Sequence, residues 1–114
     1  MRKLVFALVL VGALVSPATA MAADLANGSG QSCASGTGTW HFVNNQTGGV
    51  AAGTIQVIFN DGAITISVGA GKVTSSTQHF FVTTDVGATL TSASTNLPGK
   101  LVLSDFACGP SKKK

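Results

Sequence analysis

The sequence contains no glutamate and no tyrosine, and its only arginine is Arg2. Because its acids are four aspartates, a catalytic carboxylate pair would have to come from aspartate alone. Beyond residue 20 the cations are five lysines, of which three end the chain at residues 112–114. A nucleic-acid-binding domain normally carries a basic stripe rich in arginine. These shortages argue against an enzyme and against a nucleic-acid partner.

The formal net charge of +3 misrepresents the part of the chain that we expect to fold. Arg2 and Lys3 precede an apolar run, and residues 109–114 form a basic tail that we interpret as a solubilising end. The remaining charges sum to −2, from two lysines and four aspartates: Lys72, Lys100, Asp24, Asp61, Asp85 and Asp105.

The first twenty residues have the three-part layout of a secretory signal peptide. A positive start is followed by twelve uncharged residues at 4–15 and by the small-x-small motif Ala18-Thr19-Ala20. The apolar run is shorter than the roughly 20 residues of a membrane-spanning helix. We therefore expect cleavage after Ala20, or alternatively after Ala22, and no transmembrane segment afterwards. The expected location is outside the cell or on the exterior of its envelope.

Two cysteines, Cys33 and Cys108, lie near the two ends of the exported part. In an oxidising compartment an even count favours a disulfide, and only one intramolecular pairing exists. A bridge across such a long loop stabilises the fold by roughly 4–4.5 kcal/mol in the chain-entropy model. No Cys-x-x-Cys motif and no zinc-ligand spacing occurs, so we predict neither a metal nor a cofactor.

Six segments alternate between apolar and polar residues, and turn residues separate them. The clearest pair is joined by Asn60-Asp61-Gly62, and Asp-Gly between alternating runs is a strong hairpin signal. Because Phe80 and Phe81 give both faces of their segment an aromatic ring, we expect that strand to be central. In the last segment, alternation places Leu103 on one face and Phe106 on the other. The predicted strands are residues 39–43, 54–59, 64–68, 77–84, 88–95 and 100–106.

These segments predict an all-β fold, because no part of the exported chain has a convincing helical period. We favour a small antiparallel β-sandwich of immunoglobulin-like topology, with six to seven strands and one disulfide joining its ends. The sandwich would occupy residues 39–108. Residues 21–38 are rich in glycine and serine and are interpreted as a flexible leader.

Three residues are candidates for binding a ligand: Trp40, His41 and His79. If the strands that carry the histidines are neighbours, the imidazoles share a face and can bind a metal or titrate together. The simpler interpretation is that each ring packs against its neighbours, since two histidines without a third ligand make a poor zinc site. Trp40 is either an exposed platform for sugar rings or a buried core residue. No catalytic residue is predicted.

The run Trp40-His41-Phe42-Val43 and the terminal Leu103-Ser104-Asp105-Phe106-Ala107-Cys108 resemble a family. It consists of small exported bacterial all-β modules with a Trp-His-Phe-Val opening and a Leu-Ser-x-aromatic-x-Cys ending. The resemblance implies a cell-surface or extracellular role, without an established activity and without catalytic residues.

We therefore favour a secreted, non-enzymatic module that binds or displays at the cell exterior, with a glycan or a surface protein as its partner. One alternative is a structural subunit that assembles by strand pairing. Few charged side chains lie on its strands, and such charges are what normally prevents an edge strand from pairing with another chain. A second alternative is a small metal-binding protein that uses His41 and His79. The sequence leaves the oligomeric state open.

Overall fold

The computed structural model describes residues 22–109, and most of this range is β-structure. The predicted signal peptide and residues 110–114 of the basic tail lie outside the described residues. In the described range a short turn, Asn60–Gly62, joins the fourth and fifth strands and is closed by a hydrogen bond from the Ala63 amide to the Asn60 carbonyl at 3.1 Å. The nine strands within residues 22–109 are β1 (Ala23–Asp24), β2 (Ser32–Cys33), β3 (Gly38–Asn45), β4 (Thr54–Phe59), β5 (Ile64–Gly69), β6 (Lys72–Val73), β7 (Thr77–Thr84), β8 (Ala88–Thr95) and β9 (Lys100–Cys108).

The strands form two antiparallel sheets that pack face to face. Sheet I has the order β9-β3-β7-β6, and sheet II has the order β1-β8-β4-β5, with β2 also paired to β8. The six strands of six to nine residues are the six that the sequence predicts, and the other three have two residues each. The antiparallel sandwich is therefore confirmed, and its two-sheet architecture is the one that immunoglobulin-like domains share.

The core lies between the sheets and is built by alternation along each strand. Successive side chains of a strand point to opposite faces, so every second residue turns inward. The Trp40 and Phe59 rings meet across the sandwich with centroids 5.2 Å apart. The large buried apolar side chains of the described residues are Trp40, Phe42, Ile55, Val57, Phe59, Phe80, Val82, Leu90, Leu97, Leu101 and Leu103.

The predicted hairpin is present, with Phe59 of β4 opposite Ile64 of β5. Asn60 and Asp61 both have φ near 55°, a left-handed conformation that asparagine and aspartate tolerate better than most residues. The turn is also tied to β8, because the Asn60 side chain accepts a hydrogen bond from the Thr89 amide at 2.8 Å. The turn residues therefore both reverse the chain and attach the hairpin to its neighbour.

The prediction for Phe106 is wrong, because alternation does not continue to the end of β9. Leu103 lies opposite Phe42 and Asp105 lies opposite His41, so Ser104 is an extra residue in a β-bulge. The bulge turns Phe106 inward, where its ring stacks on Trp40 with centroids 4.9 Å apart and planes 9° apart. It also places Asp105 on the outer face.

The prediction of a flexible leader at residues 21–38 also fails for the described part of that segment. β1 and β2 pair with β8, and the Ala26 amide donates to the Leu101 carbonyl of β9 at 2.9 Å. Gly28, with φ +94°, lets the chain pass so close to Leu103 that an added Cβ would lie 2.8 Å from its Cβ. The segment needs few large apolar residues because main-chain groups at the edges of both sheets hold it.

The predicted disulfide joins Cys33 of β2 to Cys108 of β9, with Cα atoms 5.2 Å apart and a sequence separation of 75. Since β2 pairs with sheet II and β9 with sheet I, the bridge connects the two sheets as well as the two ends of the domain.

Replacing both cysteines, Cys33→Ser with Cys108→Ser, is expected to lower the free energy of unfolding by about 4 kcal/mol, because the unfolded chain regains its loop entropy. Urea denaturation measures the change. A reductant should destabilise the wild type to the same level and leave the double variant unchanged. Equal stability of the oxidised wild type and the double variant would contradict this expectation.

Phe106→Ala is expected to lower the free energy of unfolding by about 2–3 kcal/mol, because it removes a ring stacked on Trp40. Val102→Ala, on the outer face of the same strand, should cost under about 1 kcal/mol. Urea denaturation of the two variants compares them. If Phe106 pointed outward, as alternation predicts, the two losses would be similar.

Candidate functional site

The outer face of sheet I brings together most of the chemically distinctive side chains of the described residues. Residues directly opposite in an antiparallel pair lie on the same face. His41 of β3 has Asp105 on one side and Phe81 on the other. One row away, His79 of β7 lies between Val43 of β3 and Lys72 of β6. These residues form one continuous surface, called the outer face below.

His41 and His79 are in direct contact across the β3–β7 pair. His41 Nε2 lies 2.9 Å from His79 Nδ1, which is hydrogen-bonding distance. Their ring centroids are 5.1 Å apart, the ring planes differ by 21°, and both side chains are half-buried. The sequence predicts this meeting only on the condition that the two strands are neighbours, and the register meets that condition.

Phe81 extends the two imidazoles into a row of three rings. Its ring stacks on His41 with centroids 4.6 Å apart and planes 14° apart, yet 51% of the residue is exposed. The Cδ2–Cε2 edge of the ring approaches Gly71, where an added Cβ would lie 3.0 Å from Phe81 Cδ2. Sequence reasoning did not select Phe81 as a binding residue. The signal was present, because two consecutive phenylalanines in an alternating strand put one ring outside.

Trp40 is a core residue and not a ligand platform. Its exposed fraction is 0%, and its indole Nε1 donates a hydrogen bond to Thr84 Oγ1 at 3.0 Å. Stacking on Phe106 covers one ring face. Of the two interpretations of Trp40, the structure supports burial, so the prediction that it binds a ligand is wrong. The physical reason is its position on the inner side of β3, one residue from the outward-facing His41.

Buried polar groups under the outer face hold the loops to sheet I. Gln78 of β7 accepts a hydrogen bond from the Gly53 amide at 2.7 Å and donates to the Ala51 carbonyl at 3.0 Å. Asn44 of β3 donates to the Pro98 carbonyl at 2.8 Å. Because buried amides that are hydrogen-bonded in this way resist displacement, these contacts restrain the strands that carry the histidines.

The outer side of sheet II has different chemistry. A shallow groove of about 340 Å³ runs beside β8 and the N-terminal segment. Its lining mixes polar side chains, among them Gln56, Ser92 and Ser94, with Leu25, Ile58 and Ala93, and it contains no aromatic ring. We therefore regard the outer face of sheet I as the better candidate site.

The described residues include no cluster of three or more histidine, cysteine or acidic side chains placed to hold a metal ion. Residues 22–109 also contain no helix with the length and apolar character of a membrane span. No protein-family model, curated protein or solved structure matches this chain.

The pKa of His79 is lowered below the ordinary histidine value of 6.5. Desolvation by burial is the largest cause, and the positive charges of His41 and Lys72 add to it. All three effects disfavour the imidazolium form. The lowered pKa of His79 favours the neutral imidazole near pH 7, in which one ring nitrogen carries a lone pair.

The lowered pKa of His79 predicts that acid destabilises the fold. An unfolded chain with a histidine pKa of about 6.5 binds the proton more readily than the native chain does, so the free energy of unfolding falls as the pH drops through about 6.5. His79→Gln should reduce this pH dependence. The measurement is the urea midpoint between about pH 7.5 and about pH 5 at constant ionic strength.

The charged and titratable groups that share the face with His79 are His41, Lys72, Lys100 and Asp105. Thr83→Gln, on the same face, changes none of these charges and should keep the wild-type pH dependence. An equal pH dependence in His79→Gln and the wild type would contradict the assignment to His79.

Proposed function

We propose that this chain is an exported, non-enzymatic binding module that presents the outer face of sheet I to carbohydrate at the cell exterior. The export part of this proposal is supported by the signal-peptide layout of residues 1–20 and by the Cys33–Cys108 bridge. Disulfides persist mainly in oxidising compartments outside the cytoplasm. The resemblance to small exported bacterial modules supports the same location.

The observation that carries the binding proposal is the half-exposed Phe81 ring in the middle of the outer face. Its exposed area, on a central strand and beside the His41 imidazole, offers a ligand an apolar surface with hydrogen-bonding groups next to it. His41 stacks on one face of the ring, and Gly71 lies beside its Cδ2–Cε2 edge. A ring with a restricted orientation loses little entropy when it binds.

Carbohydrate fits this face better than a protein partner does. The large apolar side chains that are exposed among residues 22–109 are Val73, Phe81 and Val86. Val86 lies in the turn between β7 and β8, away from the outer face. A stable protein interface buries about 800 Å² per partner and has an apolar, often aromatic centre. The outer face, with Phe81 as its exposed aromatic ring, lacks an apolar centre of that size.

Binding a sugar ring needs less exposed apolar area than forming a stable protein interface does. One aromatic ring that contacts their C–H faces is sufficient when polar groups nearby form hydrogen bonds with the hydroxyls. The outer face offers this combination, because Thr77 and Asn45 share a row of the sheet and Thr83 lies one row beyond Phe81. The imidazoles of His41 and His79 add further hydrogen-bonding nitrogens.

The distribution of the aspartates supports a non-enzymatic role. Asp24 lies in β1, Asp61 in the β4–β5 turn, Asp85 after β7 and Asp105 in β9. Hydrolysis of a glycosidic bond generally needs two carboxyl groups about 5–9.5 Å apart across the scissile bond. Since Asp105 is the one aspartate with a place on the outer face, that face lacks the second carboxyl group.

The test is a glycan and cell-wall polysaccharide array probed with the purified protein and then repeated with Phe81→Ala. Loss of the ring is expected to weaken carbohydrate binding by about tenfold, because the stacking area disappears while the fold remains. Val86→Ala is the matched control, since Val86 is 64% exposed and lies off the face. It should bind like the wild type.

Two results would contradict the proposal: no binding to any carbohydrate on the array, or equal loss in the Phe81 and Val86 variants. Circular dichroism of each variant verifies that the fold is retained.

A further inference from the structure

We infer that His41 and His79 form a two-nitrogen binding site for a divalent transition-metal ion, with copper(II) preferred to zinc. The inference goes beyond carbohydrate binding and does not depend on it. It rests on the separation of two ring nitrogens, on the way the strands hold the rings, and on the charges of the outer face.

The separation of the two nitrogens is close to the distance between two ligands of one metal ion. His41 Nε2 and His79 Nδ1 are 2.9 Å apart. Nitrogens at adjacent corners of a square around a metal lie about 2.8–3.0 Å apart when each bond is about 2.0–2.1 Å, whereas a tetrahedral angle requires about 3.3–3.4 Å. Square-planar or tetragonal geometry is typical of copper(II) and nickel(II), and tetrahedral geometry is typical of zinc.

The backbone keeps the two rings near this arrangement. His41 and His79 belong to adjacent strands of one uninterrupted antiparallel register, from Gly38↔Thr84 to Asn45↔Thr77. Phe81 packs against the far side of His41 and limits the rotation of that ring. Pre-positioned ligands bind an ion with a smaller loss of side-chain entropy than free ones do.

Metal binding requires a change of tautomer but no net loss of protons. In the hydrogen-bonded pair one nitrogen carries the proton and the other supplies a lone pair. When both nitrogens coordinate a metal, the shared proton leaves and the same ring takes up a proton at its other nitrogen. His79 Nε2 lies 3.5 Å from Thr77 Oγ1, a nearby acceptor for such an N–H. Metal-bound histidines usually donate their second N–H in this way.

The charges on the face are mixed. Asp105, in register with His41, favours a cation, and Lys72, in register with His79, opposes it. Burial and the neighbouring charges lower the pKa of His79, which keeps that ring in the neutral form that binds metals. With two protein ligands and water in the other positions, we expect a dissociation constant in the micromolar range. Copper(II) should bind at least about tenfold more tightly than zinc, following the order of divalent-metal affinities.

The experiment is a titration of the protein, expressed from the full coding sequence without a histidine tag, with copper(II) and separately with zinc. Calorimetry gives affinity and stoichiometry, and electron paramagnetic resonance reports whether nitrogen donors surround the copper. We expect one copper(II) per chain. His41→Gln and His79→Gln should each lower the affinity by at least about tenfold, because each removes one of two ligands.

Asp61→Asn is the matched control, since it removes an exposed carboxylate in the β4–β5 turn, away from the outer face. It should keep the wild-type affinity. A second measurement needs no variant: paramagnetic broadening by copper(II) in nuclear magnetic resonance spectra should begin at His41, His79 and Phe81.

Three outcomes would overturn the inference. The first is copper(II) binding that is unaffected by either histidine substitution, which would place the ion elsewhere, for example at the chain's amino terminus. The second is zinc binding as tight as copper binding. The third is the absence of a nitrogen-coordinated copper signal together with no selective broadening at the two histidines.

Discussion

The pairing of β3 with β7 is the constraint on which the rest of this structure depends. In this register Trp40 lies opposite Val82 and Phe42 opposite Phe80, and these four side chains enter the core. The alternate pairs, His41 with Phe81 and Val43 with His79, lie on the other side of the sheet. One set of main-chain hydrogen bonds therefore builds both the hydrophobic core and the candidate site. A slip of one residue would exchange the two, since strand side chains have a period of two.

On either side of this central pair, the chain of sheet I departs from regular strand geometry at one position. The bulge at Ser104 of β9 turns Phe106 inward to stack on Trp40 and leaves Asp105 beside His41. On the opposite side, Gly71 precedes β6 and leaves room for the Phe81 ring. The bulge at Ser104 thus adds a ring to the core, and Gly71 leaves space for a ring on the outer face. β-bulges often serve to redirect a side chain in this way.

The N-terminal segment and the disulfide connect the two sheets at their edges. Residues 23–33 pair with β8 and contact β9, and the Cys33–Cys108 bridge then links β2 to β9. A sandwich of this size has a thin core, because small domains bury a smaller share of their surface than large ones do. Main-chain pairing at the edges and one covalent bridge supplement that core. They also cover main-chain groups on which another strand could add.

The sequence by itself determined the six long strands, the hairpin at Asn60-Asp61-Gly62, the alternation of side chains along β3, β4 and β7, and the pairing of the two cysteines. All of these follow from local alternation, turn chemistry or the existence of a single possible disulfide. Tertiary structure alone decided that His41 reaches His79, that Phe106 turns inward, that residues 23–33 join the sheets and that Trp40 is unavailable to a ligand. The physical reason is that strand order, register and bulges depend on contacts between residues far apart in the chain, which a local pattern of side chains does not encode.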